Sequence, residues 1–360
     1  MKLDKLLLLA LILFTTPSYS IFYYLTGKYV PNHIFGYLII LAIVLSKRSI
    51  TTDPLKILIS TTLIIYLLFI CTYNSFLNTT TLHFIFIILC LCIINKDIKI
   101  ESTLIRNLVI VQFFIAVTQT FLMNFGFDEI VHSLKTYPTQ IKDDNHLIQK
   151  WFYFFYRVGG GFKESSQLAA FMVICLFLNK KCKVTKSLGT MSILVTGSML
   201  GFIGLTLFTL INVKNYFYKI ILVSISIILA IPLMIWRITY SKLFNAQNDE
   251  MGSDRLYNLY LSLTGYNFSF FGNGINYYRG NDFLSIYMPS VGIFGMLIIC
   301  LYLLYYFSIM RKYNGLILTF LIFLCINGSI QEVPYQFMFV LLSAQLLTEV
   351  KKKRYIYENY

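Results

Sequence analysis

Residues 187–212 read SLGTMSILVTGSMLGFIGLTLFTLIN. The stretch is long and apolar enough to cross a bilayer once, since a spanning helix needs about 20 mostly apolar residues. Thr196-Gly197-Ser198 stands in its middle, and glycine between two hydroxyl residues is a turn signal. One crossing or a two-armed hairpin: the choice sets the side on which every later loop emerges.

Outward from this stretch, apolar runs recur at about 6–25, 31–46, 55–76, 80–95, 103–125, 166–179, 217–236, 286–307, 315–331 and 334–349. Basic residues gather in short cytoplasmic loops. Lys47-Arg48, Lys180-Lys181 with Lys183 and Lys186, Arg311-Lys312, and Lys351-Lys352-Lys353-Arg354 are therefore all expected inside. A single crossing at 187–212 puts the tail Lys351–Arg354 outside while Lys180–Lys186 stays inside. A hairpin turning at Thr196-Gly197-Ser198 removes the conflict. The expected fold is an all-α polytopic membrane helix bundle of about 12 transmembrane spans, with both termini cytoplasmic. Residues 1–360 then form a single integral membrane domain. This arrangement places 20 of the 30 basic and 6 of the 16 acidic residues inside, so the formal charge of +14 lies on the cytoplasmic face. The orientation rule built part of that balance in. Each hairpin arm is shorter than an ordinary span, and broken backbone at membrane depth needs protein or water to satisfy it.

Composition agrees. The chain is 57% hydrophobic and only 13% charged, against about 25% charged in a soluble domain. Its basic character is accounted for by anionic lipid headgroups, so no nucleic acid is expected. Lys2 and Lys5 ahead of Leu6–Phe14 resemble a leader, but no A-x-A site follows and the segment serves as a first span. Six of the seven cysteines fall in apolar runs and Cys182 in a short basic loop, which gives no disulfide framework. Cys90-x-Cys92 has the wrong spacing for zinc, and the four histidines form no metal constellation. Neither cofactor nor metal is expected.

Two segments exceed turn length, loop A at about 127–165 and loop B at about 237–285, both exported in this topology. Long loops of this kind are usually functional or disordered, and the aromatic stretches Trp151–Tyr156 and Phe268–Phe271 argue for packing at the membrane interface. Loop A ends in Arg157-Val158-Gly159-Gly160-Gly161-Phe162-Lys163-Glu164-Ser165-Ser166. Arg157 is able to grip a phosphate through two parallel hydrogen bonds, free amides at Gly160 and Gly161 to line an anion, and Ser165 or Ser166 to cap the next helix. The plainer reading is an interfacial arginine beside a flexible loop. Loop B holds Arg255, opening an amphipathic stretch, and the turn Gly272-Asn273-Gly274. Asn281-Asp282 then precedes Gly292 and Gly295, small residues suited to close helix contact, and Glu332 sits in the exported turn Asn327–Pro334. Taken singly, these too read as caps, turns and packing glycines.

In this order, the pieces resemble the O-antigen polymerase and ligase superfamily (Wzy-type and relatives). The resemblance covers about 150–300. It rests on the Arg157–Glu164 stretch before a span, the Thr196-Gly197-Ser198 turn, Arg255 leading to Gly272-Asn273-Gly274, and Asn281-Asp282 ahead of Gly292…Gly295. Family members often have arginine where Met199 stands, and ligases carry histidine where Gly280 stands. The resemblance implies a glycosyltransferase, a polymerase rather than a ligase, acting on undecaprenyl-diphosphate-linked glycans at the outer face of the bacterial cytoplasmic membrane. A transporter of the flippase kind is the alternative of another class. A diphosphate leaving group needs positive charge where negative charge develops. Arg157 and Arg255 are the expected grips, with Lys163, Gly160 and Gly161 as helpers. Glu164, Asp282 and Glu332 are the candidate proton acceptors. Membrane lipids, a chain-length regulator and a flippase of the same pathway are the implied partners.

Overall fold

The computed structural model describes residues 2–28, 30–46, 53–74, 79–94, 99–127, 129–131, 150–151, 155–156, 158–162, 164–212, 214–221, 223–224, 228, 270–274, 283–313, 315–327, 330 and 332–347. It is mostly helical. The helices are α1 (Lys2–Phe14), α2 (Ile21–Thr26), α3 (Asn32–Ser46), α4 (Pro54–Tyr73), α5 (Thr79–Ile93), α6 (Ser102–Asn124), α7 (Ser165–Leu178), α8 (Lys183–Thr196), α9 (Met199–Asn212), α10 (Phe283–Met310), α11 (Leu316–Asn327) and α12 (Val333–Ser343). Two minor pairings accompany them. β1 (Lys99–Glu101) runs parallel to β4 (Gln345–Leu347), and β2 (Lys150–Trp151) antiparallel to β3 (Phe155–Tyr156).

Apolar residues on all sides of a helix mark it as either buried or lipid-bound. α7 and α12 are the buried kind: Leu168–Leu178 and Val333–Ser343 are shielded throughout. They pack on each other, and α7 also carries α8 and α9. The outer helices invert the pattern of a water-soluble protein. Leu297, Leu301 and Leu304 make an exposed stripe on α10, and Phe114, Val117 and Phe121 do so on α6. Exposed apolar surface on this scale is compatible with a hydrocarbon solvent. Within the described residues three helical segments are long and apolar enough to cross a membrane, Pro54–Tyr73, Ser102–Asn124 and Ile286–Met310, and several shorter apolar helices accompany them.

The 187–212 stretch is two helices. α8 ends at Thr196, whose hydroxyl donates to the Ile193 carbonyl at 2.7 Å. Gly197 follows in the left-handed region at φ 54°, where a side chain is costly. Ser198 leads into α9, and Gly201 lets α9 close against Ala169 and Ile193. Each 14-residue arm is about 21 Å long at 1.5 Å per residue.

Three expected runs depart from unbroken helix. In the first, Thr15 and Thr16 turn their hydroxyls back onto the Leu11 and Ile12 carbonyls, both at 3.0 Å. Pro17 then offers no amide and obstructs the preceding turn, so 6–25 becomes α1, a buried connection and the short α2. The run at 334–349 stops being helical at Ser343 and continues as β4, with Ile100 opposite Leu346. In the run at 286–307, Gly292 at φ 67°, ψ −174° breaks α10. Gly292 is thus a break and not the packing residue expected. Gly295 does serve close contact, since a Cβ there would stand 2.5 Å from the Tyr66 ring. Most of the 217–236 run and of loops A and B lies outside the described residues.

Hydrogen bonds sort the helix termini into two ends. At one, Lys56 Nζ donates to the Ile94 carbonyl beyond α5 (2.6 Å) and to Ser343 Oγ (3.1 Å), Asn179 to the Ser102 carbonyl (3.0 Å), and Tyr305 to Asp53 (3.3 Å). A cation at a helix C-terminus meets unpaired carbonyls and the negative end of the helix dipole. The α1–α2 connection, the start of α3, the ends of α4 and α6, Gly159–Phe162, Glu164, Phe270–Gly274 and the start of α12 lie at the other end.

Candidate functional site

The end that collects these loops is built from buried polar groups. α6 places Gln112 and Gln119 seven residues, about two turns, apart on one face. Gln112 Oε1 accepts from the Gly161 amide at 2.9 Å, and its Nε2 donates to the Thr15 carbonyl at 2.9 Å. Gln119 Oε1 accepts from the Gly160 amide at 2.9 Å, and its Nε2 donates to the Gly160 carbonyl at 2.8 Å and to Tyr19 Oη at 2.9 Å. The Ser18 amide donates to the Gly161 carbonyl at 3.1 Å. The glycine loop, the α1 break and α6 thus form one closed network at a depth where unpaired backbone is costly.

The glycines are needed for closeness. Gly160 has φ +57°, and a Cβ on Gly161 would stand 2.6 Å from the Thr15 carbonyl oxygen. Their amides are engaged by glutamine and are not free to line an anion, so Gly160 and Gly161 act as the loop's anchor. Phe162 drives the anchor home. Its ring is fully buried 5.2 Å from Phe171, which continues to Phe337 and Phe14. Glu164, rather than Ser165 or Ser166, occupies the cap position of α7. Its exposed carboxylate accepts from the Ser166 hydroxyl at 3.1 Å.

The second docked loop is Phe270–Gly274. The break at Gly292 releases carbonyls that α10 would otherwise use internally, and this loop takes them up. The Asn273 amide donates to the Pro289 carbonyl and the Gly274 amide to the Ser290 carbonyl, both at 2.9 Å. Tyr66 on α4 donates to the Val291 carbonyl at 2.7 Å, and Asn74 to the Gly272 carbonyl at 3.3 Å. A Cβ on Gly272 would overlap the backbone of Ser290–Gly292. Phe69, Tyr73, Phe270, Phe271 and Phe294 enclose the junction. Gly272-Asn273-Gly274 is therefore a turn, as its sequence indicates, with the added task of filling a broken helix.

Glu332 stands at the cap position of α12, half-buried, at this same end. Nothing in α6's apolar run announces Gln112 and Gln119 as a pair except their spacing. Of the eight residues expected in the site, Glu164, Glu332, Gly160 and Gly161 share this end of the molecule. Arg157, Lys163, Arg255 and Asp282 lie outside the described residues. No group of three or more His, Cys, Asp or Glu able to hold a metal occurs among the described residues.

Fold and site together define a bundle of apolar helices, compatible with a membrane protein, that gathers two docked glycine loops and a buried polar network at one end. No family model, curated protein or solved structure matches the chain.

Proposed function

We propose that this chain is a multi-pass glycosyltransferase of the bacterial cytoplasmic membrane that polymerises undecaprenyl-diphosphate-linked oligosaccharide units into a surface polysaccharide, O-antigen or capsule, on the outer face. The topology is the one of about 12 spans with cytoplasmic termini, so the end holding the docked loops faces outward. One observation carries the reading: Gly160 and Gly161 are pinned by Gln119 and Gln112, and in sequence they stand between Arg157 and the Lys163-Glu164 pair. An anchor three residues along the chain from Arg157 supports a guanidinium placed for a departing diphosphate. Arg255 supplies the second cation from loop B, tethered by Phe270–Gly274. Glu164, Asp282 and Glu332 are the proton acceptors available to the attacking hydroxyl. The bond from the anomeric carbon to the diphosphate breaks as the acceptor oxygen bonds to that carbon.

Broken helices also build transporter sites, where they leave backbone groups open to ions or substrate. Here the break in α10 is filled by Asn273, Gly274 and Tyr66, and that after α1 by Gln112 and Gly161, which favours an enzyme over a flippase. The test is a deletion strain complemented with Arg157→Ala or Arg255→Ala. Each variant is expected to yield single repeat units on the lipid anchor at unchanged protein level. Wild-type chain lengths in both variants would reject the diphosphate grip. Polymer accumulating on the carrier in the deletion strain would indicate a ligase, and units trapped on the cytoplasmic face a flippase.

A further inference from the structure

His33, in the first turn of α3, and His83, early in α5, meet at the end of the bundle that holds the docked loops. Asn32 beside His33 accepts from the Ile21 amide at 3.0 Å, and the His33 ring stands edge-on to Phe14 at 6.3 Å. The two Nε2 atoms are 2.8 Å apart, and the ring centroids 4.9 Å. That pair of distances separates two kinds of site. Imidazoles sharing a proton approach head-on, with centroids about 5.1 Å apart at this nitrogen separation. Imidazoles converging on a metal at 2.0–2.1 Å would bring them to about 4.4 Å. The geometry is that of a shared proton.

The proton count follows. Each neutral imidazole carries one N–H, and the bridge needs one nitrogen as donor and the other as acceptor. Among the described residues, His33 Nδ1 is buried with no partner. A buried N–H without a partner is the costlier orphan, so His33 donates through Nε2 and keeps Nδ1 bare. A second proton has two places to go. On His33 Nδ1 it creates an unpaired cationic donor among apolar side chains. On the bridging nitrogen of His83 it sets two N–H groups against each other at 2.8 Å. The first buries an unpaired charge and the second breaks the bridge, so a second proton is held at lower cost when the rings part and reach water.

We propose that His33 and His83 form a proton-binding site that closes α3 onto α5 while it holds one shared proton and parts them when it takes up a second. The titratable and charged groups at this end of the packed elements include Tyr37 on α3, Cys71 on α4, Tyr287 on α10, and Glu332 and Tyr335 at the start of α12, while α1 presents Phe14. Burial and the neighbouring His83 both act against charge on His33. The site is independent of the catalytic reading above.

Hydrogen–deuterium exchange on the full chain in lipid nanodiscs tests it. Moving from neutral pH to acid below the imidazole range, and correcting for intrinsic rates, is expected to speed exchange at the starts of α3 and α5 about tenfold. His83→Gln and His33→Gln, whose amides keep a hydrogen bond without titrating, are expected to lose that response. No acid response in the wild type, or the same response in both variants, overturns the proposal. Should a variant fail to fold, nitrogen NMR of the histidine-labelled wild type decides. Coupling between two imidazole nitrogens across one hydrogen bond supports the pair, and its absence at neutral pH refutes it.

Discussion

Gln112 and Gln119 show what single residues contribute here. Each bridges two parts of the chain far apart in sequence, and each satisfies backbone that has no water to turn to. Gln112→Leu leaves the Gly161 amide and the Thr15 carbonyl unpaired, at about 1–3 kcal/mol for each buried group. The variant is expected to melt several degrees lower than wild type in detergent, and an unchanged melting temperature would show that the network contributes little. Gly160 and Gly161 were legible in the sequence as a place for close backbone approach. The glutamines were not, because an amide in an apolar run looks the same whether it meets a loop or a neighbouring helix. Glu164 was legible as a polar residue at a helix entrance, yet its position as the cap depended on where α7 begins.

At the scale of elements, the breaks are more informative than the helices. The turn at Gly197 was legible because glycine flanked by hydroxyl residues interrupts an apolar run and charge on either side demanded a return. The break at Gly292 was not, since Pro289 and two glycines in an apolar run also suit a continuous, closely packed helix. Gly292 has a backbone conformation essentially restricted to glycine. Gly292→Ala is expected to straighten α10, reclaim the Pro289 and Ser290 carbonyls and release Phe270–Gly274. Limited proteolysis reads this as new cleavage near Asn273, and an unaltered digestion pattern would mean the turn is held by its aromatic neighbours alone. Thr15-Thr16-Pro17 breaks the first run by the same logic, with proline as the cause and hydroxyl groups as partners for the carbonyls left behind.

For the whole molecule, the inverted surface pattern and the sorting of helix ends matter most. Bonds from Lys56, Asn179 and Tyr305 define one end, and those from Gln119, Asn74 and Asn32 the other. The described helices run between these two ends. A reporter fused after Thr196 is expected to appear outside the cell membrane, and one fused after Lys214 inside. If both report from the same side, the hairpin does not reach across and the orientation scheme falls.

Hydrophobicity and the placement of lysine and arginine determined, by themselves, that this chain is a bundle of apolar helices with a return at Gly197. Those properties act residue by residue and need no knowledge of neighbours. Which helices lie at the centre, which carbonyls a broken helix releases, and which side chains answer them were decided only in three dimensions. A buried polar group is satisfied by whatever the fold brings within about 3 Å, and that proximity joins residues as distant as His33 and His83 or Gln119 and Gly160.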